Sequence, residues 1–215
     1  MARPTDSDRV KQIRFGPRGI VSKLKEAPID RLALDFCSAL DEQHISYAII
    51  GGYVAILLGR PRESDDVDIF AEPMNYEAFA KLHSRLCEHF DCLSPGNARR
   101  LFADYLDAGP ESTSVRYAQR DTFVPNIEFK FARKRLDFEA LEGRLKLTLN
   151  GSVLAVGPLE SQIAFKLYMG SPKDFEDARW IYRMAANHID AAEIKRIATS
   201  LKVPPQKWRK ILDIN

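Results

Sequence analysis

The sequence predicts an α/β (α+β) chain: a mixed sheet flanked by helices, followed by a C-terminal helical segment. Three observations carry that reading. Short apolar runs such as "SYAII", "DVDIF" and "NIEFKFA" have strand character and are interleaved with longer amphipathic runs. Asn150-Gly151 sits between two alternating runs and suits a tight primed turn, which marks a hairpin. After Pro158 the strand pattern stops and four helical stretches follow.

The elements are justified in chain order. Residues 1–28 have weak periodicity and form a predicted basic N-terminal arm. From Arg9 to Lys25 it carries six cations and no acid, as in a solvated tail or an arm that touches nucleic acid. Residues 29–43 place Leu32, Phe36 and Leu40 four apart, an amphipathic helix. "SYAII" is a strand stopped by Gly51-Gly52, and "YVAILLG" is a short buried helix closed by Gly59. "DVDIF" is the next strand. "EPMNYEAFAKLHSRLCEHF" is a second long helix with Phe79, Leu82, Leu86 and Phe90 on one face. Residues 98–107 have helical character, and "SVRYAQ" and "NIEFKFA" are strands. The hairpin around Asn150-Gly151 then leads to a boundary near Gly157. The predicted organisation is an arm (1–28), an α/β domain (29–157) and a helical region (158–215).

Composition excludes more than it names. The chain has 215 residues, of which 45% are hydrophobic and 29% charged, ordinary values for a globular protein. A net charge of +2 points to no partner. The three cysteines form no C-x-x-C pair and are expected as reduced thiols; the four histidines have no paired metal spacing, so a zinc site is not expected. No apolar run approaches the ~18 residues of a membrane span. The first residues are polar and lack a signal-peptide core, so a cytoplasmic protein is expected.

The chemistry concentrates in "YAIIGGYVAILLGRPRESDDVDIF", Tyr47 to Phe70. Asp66 and Asp68 are two apart on a strand and therefore share a face, while Val67 and Ile69 turn to a core. Two such carboxylates repel unless a cation or protons separate them, and magnesium is the usual partner of oxygen-only ligands that work with phosphates. Gly51 and Gly52 follow a strand and open a helix, where backbone N–H groups can approach an anion. Arg60 and Arg62 would meet phosphate oxygens, and Ser64 would hydrogen-bond one. Taken singly, each feature also fits an ordinary turn or a solvated loop in which the arginines pair with Glu63 and Asp65. The ordered combination is what is specific.

That order resembles the signature of the polymerase-β-like nucleotidyltransferase superfamily: a glycine pair, a spacer, then Asp-apolar-Asp on a strand. Thirteen residues separate Gly52 from Asp66. The segment is most similar to the small prokaryotic branch, the minimal nucleotidyltransferases and AbiEii-like toxins, with Ser64 where threonine is commoner. The resemblance runs from about Ile45 to Asp177 and implies a third carboxylate on a later strand. Glu128 in "VPNIEFKFA" fits it, with Asp137 as competitor. "FKLYMGSPKDFEDA" resembles the branch through Lys166, Lys173, Asp174 and Asp177. Lys166 and Lys173 would steady a triphosphate, or Lys173 would pair with Asp177 on an exposed helix face.

The resemblance implies a nucleotidyltransferase-fold sheet and a magnesium-dependent, pyrophosphate-releasing transfer of a nucleoside monophosphate from a nucleoside triphosphate to an acceptor hydroxyl. Two Mg2+ ions, or Mn2+ in their place, would be held by Asp66, Asp68 and Glu128. The acceptor would be a tRNA, a protein or a small molecule, possibilities that include a toxin–antitoxin role. The basic arm and "ARKRL" (Ala132–Leu136) tilt towards nucleic acid. The alternative is a catalytically silent nucleotide- or partner-binding module of the same fold.

Overall fold

In the computed structural model, residues 12–17 and 19–212 are described. Residues 1–11 and 18, which hold Arg9, Lys11 and Arg18 of the basic arm, lie outside them.

The arm's described part is not a tail. Strands β1 (Ile13–Gly16) and β2 (Gly19–Ser22) pair antiparallel, and Ile13 and Ile20 are buried. Each strand is only four residues long, so the apolar alternation is too short to read past the interspersed cations. Exposed Arg14 lies on the outer strand, where a charge discourages a further strand from adding.

Helix α1 (Pro28–Glu42) begins with Pro28, whose missing N–H costs nothing in the first turn. Asp30 accepts the Ala27 N–H at 2.7 Å and the buried Tyr53 hydroxyl at 2.6 Å. It thus ties α1 to α2 (Gly52–Leu57), which follows β3 (Tyr47–Ile50). Then come β4 (Asp66–Ala71) and α3 (Tyr76–Leu86), the latter capped by the Asn75 side chain. The expected long helix ends early. Phe90 belongs instead to β5 (Phe90–Cys92), though it joins the same core. A short turn α4 (Ala98–Arg100) runs into a π-helical turn at Leu101–Leu106.

Strands β6 (Val115–Gln119) and β7 (Asn126–Phe131) follow as predicted. Helix α5 (Arg135–Glu142), read in the sequence only as a basic run, is capped by Asp137, which accepts the N–H groups of Arg133 and Lys134 at 2.9 Å each. Strands β8 (Leu145–Leu149) and β9 (Ser152–Val156) form the hairpin, with Asn150 at φ +48° and Gly151 at φ +99°. Helices α6 (Leu159–Met169), α7 (Pro172–Ala185), α8 (Ala191–Ser200) and α9 (Pro205–Leu212) complete the chain.

The described strands form one mixed sheet in the order β1-β2-β8-β9-β3-β4-β7-β6-β5. The β4–β7 pair is parallel, with Asp68 opposite Glu128. On one face Val67, Ile69, Ile127 and Phe129 are fully buried, packed with Leu32, Phe36 and Leu40 of α1 and Phe79, Leu82 and Leu86 of α3 in one core. Each such side chain contributes roughly 1.5–3 kcal/mol of burial. Phe36 lies within 6.0 Å of the rings of Phe90, Tyr117 and Phe129. Because alternate residues of a strand point to opposite faces, burying one set puts Asp66, Asp68, Glu128 and Lys130 on the other.

The same core extends to Ile211, so the C-terminal helices share it. Trp180 of α7 donates its indole N–H to the Leu58 carbonyl at 2.9 Å, which locks α7 to the end of α2. The cysteines are free thiols; burial pushes the Cys37 thiol far up. Among the described residues, no helix is long and apolar enough to cross a membrane.

Candidate functional site

The site begins at the β3–α2 turn. Gly51 has φ +77°, a conformation open to glycine at little cost. A Cβ there would stand 2.3 Å from Asp68 Oδ2, so the turn and the carboxylate share one space. A Cβ on Gly52 would stand 2.1 Å from the Arg62 guanidinium. The Gly51 N–H donates to Gln162 Oε1 at 3.0 Å. Gln162, on α6, was missed in the sequence; its signal is a polar residue among the apolar neighbours of "ESQIAFKL".

On β4, Asp66 and Asp68 face the same side. The Ser64 hydroxyl donates to Asp66 Oδ1 at 3.2 Å, and Lys130 Nζ lies 3.2 Å from Asp68 Oδ1. Burial pushes the Asp68 carboxyl above the usual carboxylate range; the Lys130 ammonium lowers it, while Asp66 and Glu128 raise it further. Glu128, opposite Asp68 in register, is held instead by Arg116 of β6 at 2.5 Å. Lys130 also lies 5.1 Å from the centroid of the Phe70 ring. The strand period that put Glu128 beside the aspartates also put Lys130 there, two residues on.

The basic residues expected at a phosphate are arranged differently. Asp177 is fully buried and accepts both Nε and Nη2 of Arg62, at 3.0 and 3.1 Å. It also pairs with Arg60 and, at 3.0 Å, with Lys166. Lys166 reaches Asp174 at 2.9 Å as well. Arg60 further binds Glu176 and the Lys173 carbonyl. The arginines therefore do not pair with Glu63 and Asp65 side chains, and Asp177 is taken by these three cations rather than by Lys173, which is exposed. This buried cluster ties the loop after α2 to α6 and α7. Charge pairs that are buried and multiply hydrogen-bonded hold geometry strongly, because leaving one partner uncompensated is costly.

Gly51, Gly52, Arg62, Ser64, Asp66, Asp68, Lys166 and Lys173 all line one cavity of about 470 Å³. Lys130 and Gln162 line it too. Apolar side chains line it as well, namely Phe70, Leu136, Ala140, Phe165, Met169 and Ile197. Glu128 stands outside the lining. Asp137 is on it, although one of its oxygens is spent capping α5.

The donors of Asp66 and Asp68 are hard carboxylate oxygens on one face of β4. That chemistry fits a divalent ion at these two residues. The third acid fits less directly. Among the described residues no group of three or more His, Cys, Asp or Glu side chains is arranged to hold a metal. Glu128 would have to leave Arg116 to join the pair.

Comparison with solved structures decides the architecture. An antigenic nucleotidyltransferase-like protein from Paracoccidioides brasiliensis superposes with a TM-score of 0.59 at 19% identity, over 89% of this chain and 95% of that one. The fold is a nucleotidyltransferase fold. The antibiotic-resistance factor ANT(2'')-Ia, in a solution structure, aligns with a TM-score of 0.53 at 14% identity, over 82% of this chain and 93% of that one. No family model matches the sequence, and no curated protein matches it. Neither solved neighbour is described as AbiEii-like. On this fold, the glycine turn and the β4 acids line the same cavity.

Proposed function

We propose that the protein is a metal-dependent nucleotidyltransferase that moves a nucleoside monophosphate from a nucleoside triphosphate to an acceptor hydroxyl. The observation that carries this is the joint placement of Gly51, Asp66 and Asp68 at one cavity of a nucleotidyltransferase-fold sheet. Asp66 and Asp68 would hold the magnesium; a divalent ion there supplies charge neutralisation and acidifies an acceptor hydroxyl. Ser64 orients Asp66. The Gly51–Gly52 turn lets a phosphate approach the backbone closely. Glu128 is the third acid of this reading, because it lies opposite Asp68 while Asp137 caps a helix. The Asp177 cluster braces the wall rather than presenting free cations, so Arg62 and Lys166 act on a phosphate through the surface they leave open to the cavity.

The apolar part of the cavity lining supports a small-molecule acceptor. The basic run that tilted the sequence towards tRNA is partly occupied: Arg133 binds the Leu106 carbonyl and Asp107, and Arg135 pairs with Glu139 at 2.7 Å. A protein acceptor and a toxin–antitoxin role rest on the sequence resemblance alone.

The silent-module reading has its own support. Asp68 and Glu128 are each neutralised by a neighbouring cation, as in a site that no longer holds metal. Calorimetric titration with Mg2+ and ATP separates the two. The enzyme reading expects metal-dependent nucleotide binding that Asp68→Asn weakens at least tenfold, on the order of one lost charge-assisted ligand. Equal metal-dependent affinity in both proteins removes the metal role.

A further inference from the structure

Lys130 holds a position that the glycine turn, the arginines and the α6–α7 lysines do not. Asp68 Oδ2 is packed against Gly51, and its Oδ1 is held by Lys130. One carboxylate oxygen therefore lies beside a backbone turn and the other beside an ammonium, while the side chain stays 25% exposed at the cavity. Arg62 and Lys166 are bound to the buried Asp177. Lys130 differs: its side chain is 30% exposed, borders the cavity, and among the described residues its ammonium contacts the Asp68 carboxylate and lies over the Phe70 ring.

We propose that Lys130 is a built-in counter-ion that occupies the cation position at Asp68 and transfers to the triphosphate when a metal–nucleotide complex enters. The inference rests on the nucleotidyl-transfer reading. A dication approaching Asp66 and Asp68 meets the field of the ammonium 3.2 Å from Oδ1, which opposes it. A polyphosphate approaching the same point is attracted by that ammonium. One residue therefore acts with opposite sign on metal alone and on phosphate alone. It keeps a bare metal from settling and favours the complete metal–nucleotide pair.

The test uses the full chain and two probes, Mn2+ followed by electron paramagnetic resonance and inorganic tripolyphosphate followed by calorimetry. In Lys130→Met the Mn2+ dissociation constant should fall about tenfold, the scale on which a unit charge within 4–6 Å shifts an equilibrium at a carboxylate. The tripolyphosphate constant should rise about threefold or more, as expected for one lost charge-assisted contact. Lys130→Arg, which keeps the charge, should stay near wild type for both probes, and unfolding temperatures check that each variant is folded. Unchanged or weaker Mn2+ binding in a folded Lys130→Met overturns the counter-ion role. Tighter Mn2+ with unchanged tripolyphosphate overturns the transfer to phosphate. Wild-type protein whose Mn2+ binding Asp68→Asn does not weaken overturns the underlying reading of the site, which separates that failure from a failure of Lys130.

Discussion

At Gly51 a backbone torsion and a catalytic candidate meet. An alanine there would have to adopt φ +77° and place its Cβ 2.3 Å from Asp68 Oδ2. The torsion alone costs on the order of 1–3 kcal/mol for a residue with a side chain. Gly51→Ala should therefore lower the unfolding temperature and also impair nucleotide binding; a variant with wild-type values of both would show that the turn is looser than described. The identity of the third acid is also a residue-scale question. Glu128 faces Asp68 across the sheet, whereas Asp137 accepts two backbone N–H groups at the start of α5. Glu128→Gln should fold normally and lose turnover. Asp137→Asn should keep turnover and cost about 1 kcal/mol in denaturant unfolding, as a weakened helix cap does. If Asp137→Asn stops turnover and Glu128→Gln does not, the two assignments are exchanged.

At the scale of elements, α6 and α7 are joined to the loop after α2 by charge. Asp177 has no exposed surface and receives Arg60, Arg62 and Lys166, each nearly buried. Asp177→Asn removes the one anion common to three cations and should destabilise the protein by about 3–5 kcal/mol, the range for breaking a buried pair. The exposed Arg31–Asp35 pair of α1 is the control: Arg31→Ala should cost no more than about 1 kcal/mol. Urea unfolding measures both, and equal small effects would show that the cluster does not brace the wall. Most elements were legible because their periods are long and clean. The helices of 159–212 and the hairpin at Asn150-Gly151 fall where the sequence puts them. The β1–β2 pair was not legible, since its pairing with β8 is set by residues more than a hundred positions away. Helix α5 was hidden because its four charged side chains within eight residues mask the buried Ala140 and Leu141.

At the scale of the molecule, the site is a product of sheet order. Asp66 and Asp68 share a face by strand period, which the sequence shows, but the parallel β4–β7 pairing that sets Glu128 opposite Asp68 is a tertiary fact. The shared face of the aspartates and the glycine turn were therefore readable, while the Lys130 partner of Asp68 and the Arg116 partner of Glu128 were not. That Arg62 and Lys166 also hold Asp177 was not readable, because a sequence does not reveal that this aspartate, on a distant helix, is buried beside them. Lys130 obeyed the same alternation as Glu128 and lacked only a reason to be singled out. The 19% identity to the nucleotidyltransferase-like neighbour leaves chemistry to be decided by experiment rather than by likeness.

The central claim is that the α-phosphoryl group is the one transferred. The protein is incubated with Mg2+ and each of the four nucleoside triphosphates, labelled in parallel at the α and γ positions, together with total tRNA, cell protein or a small-molecule extract. α-Label should appear on an acceptor with release of pyrophosphate, and Asp66→Ala should transfer none. Transfer of γ-label without α-label would contradict it and make the protein a phosphotransferase.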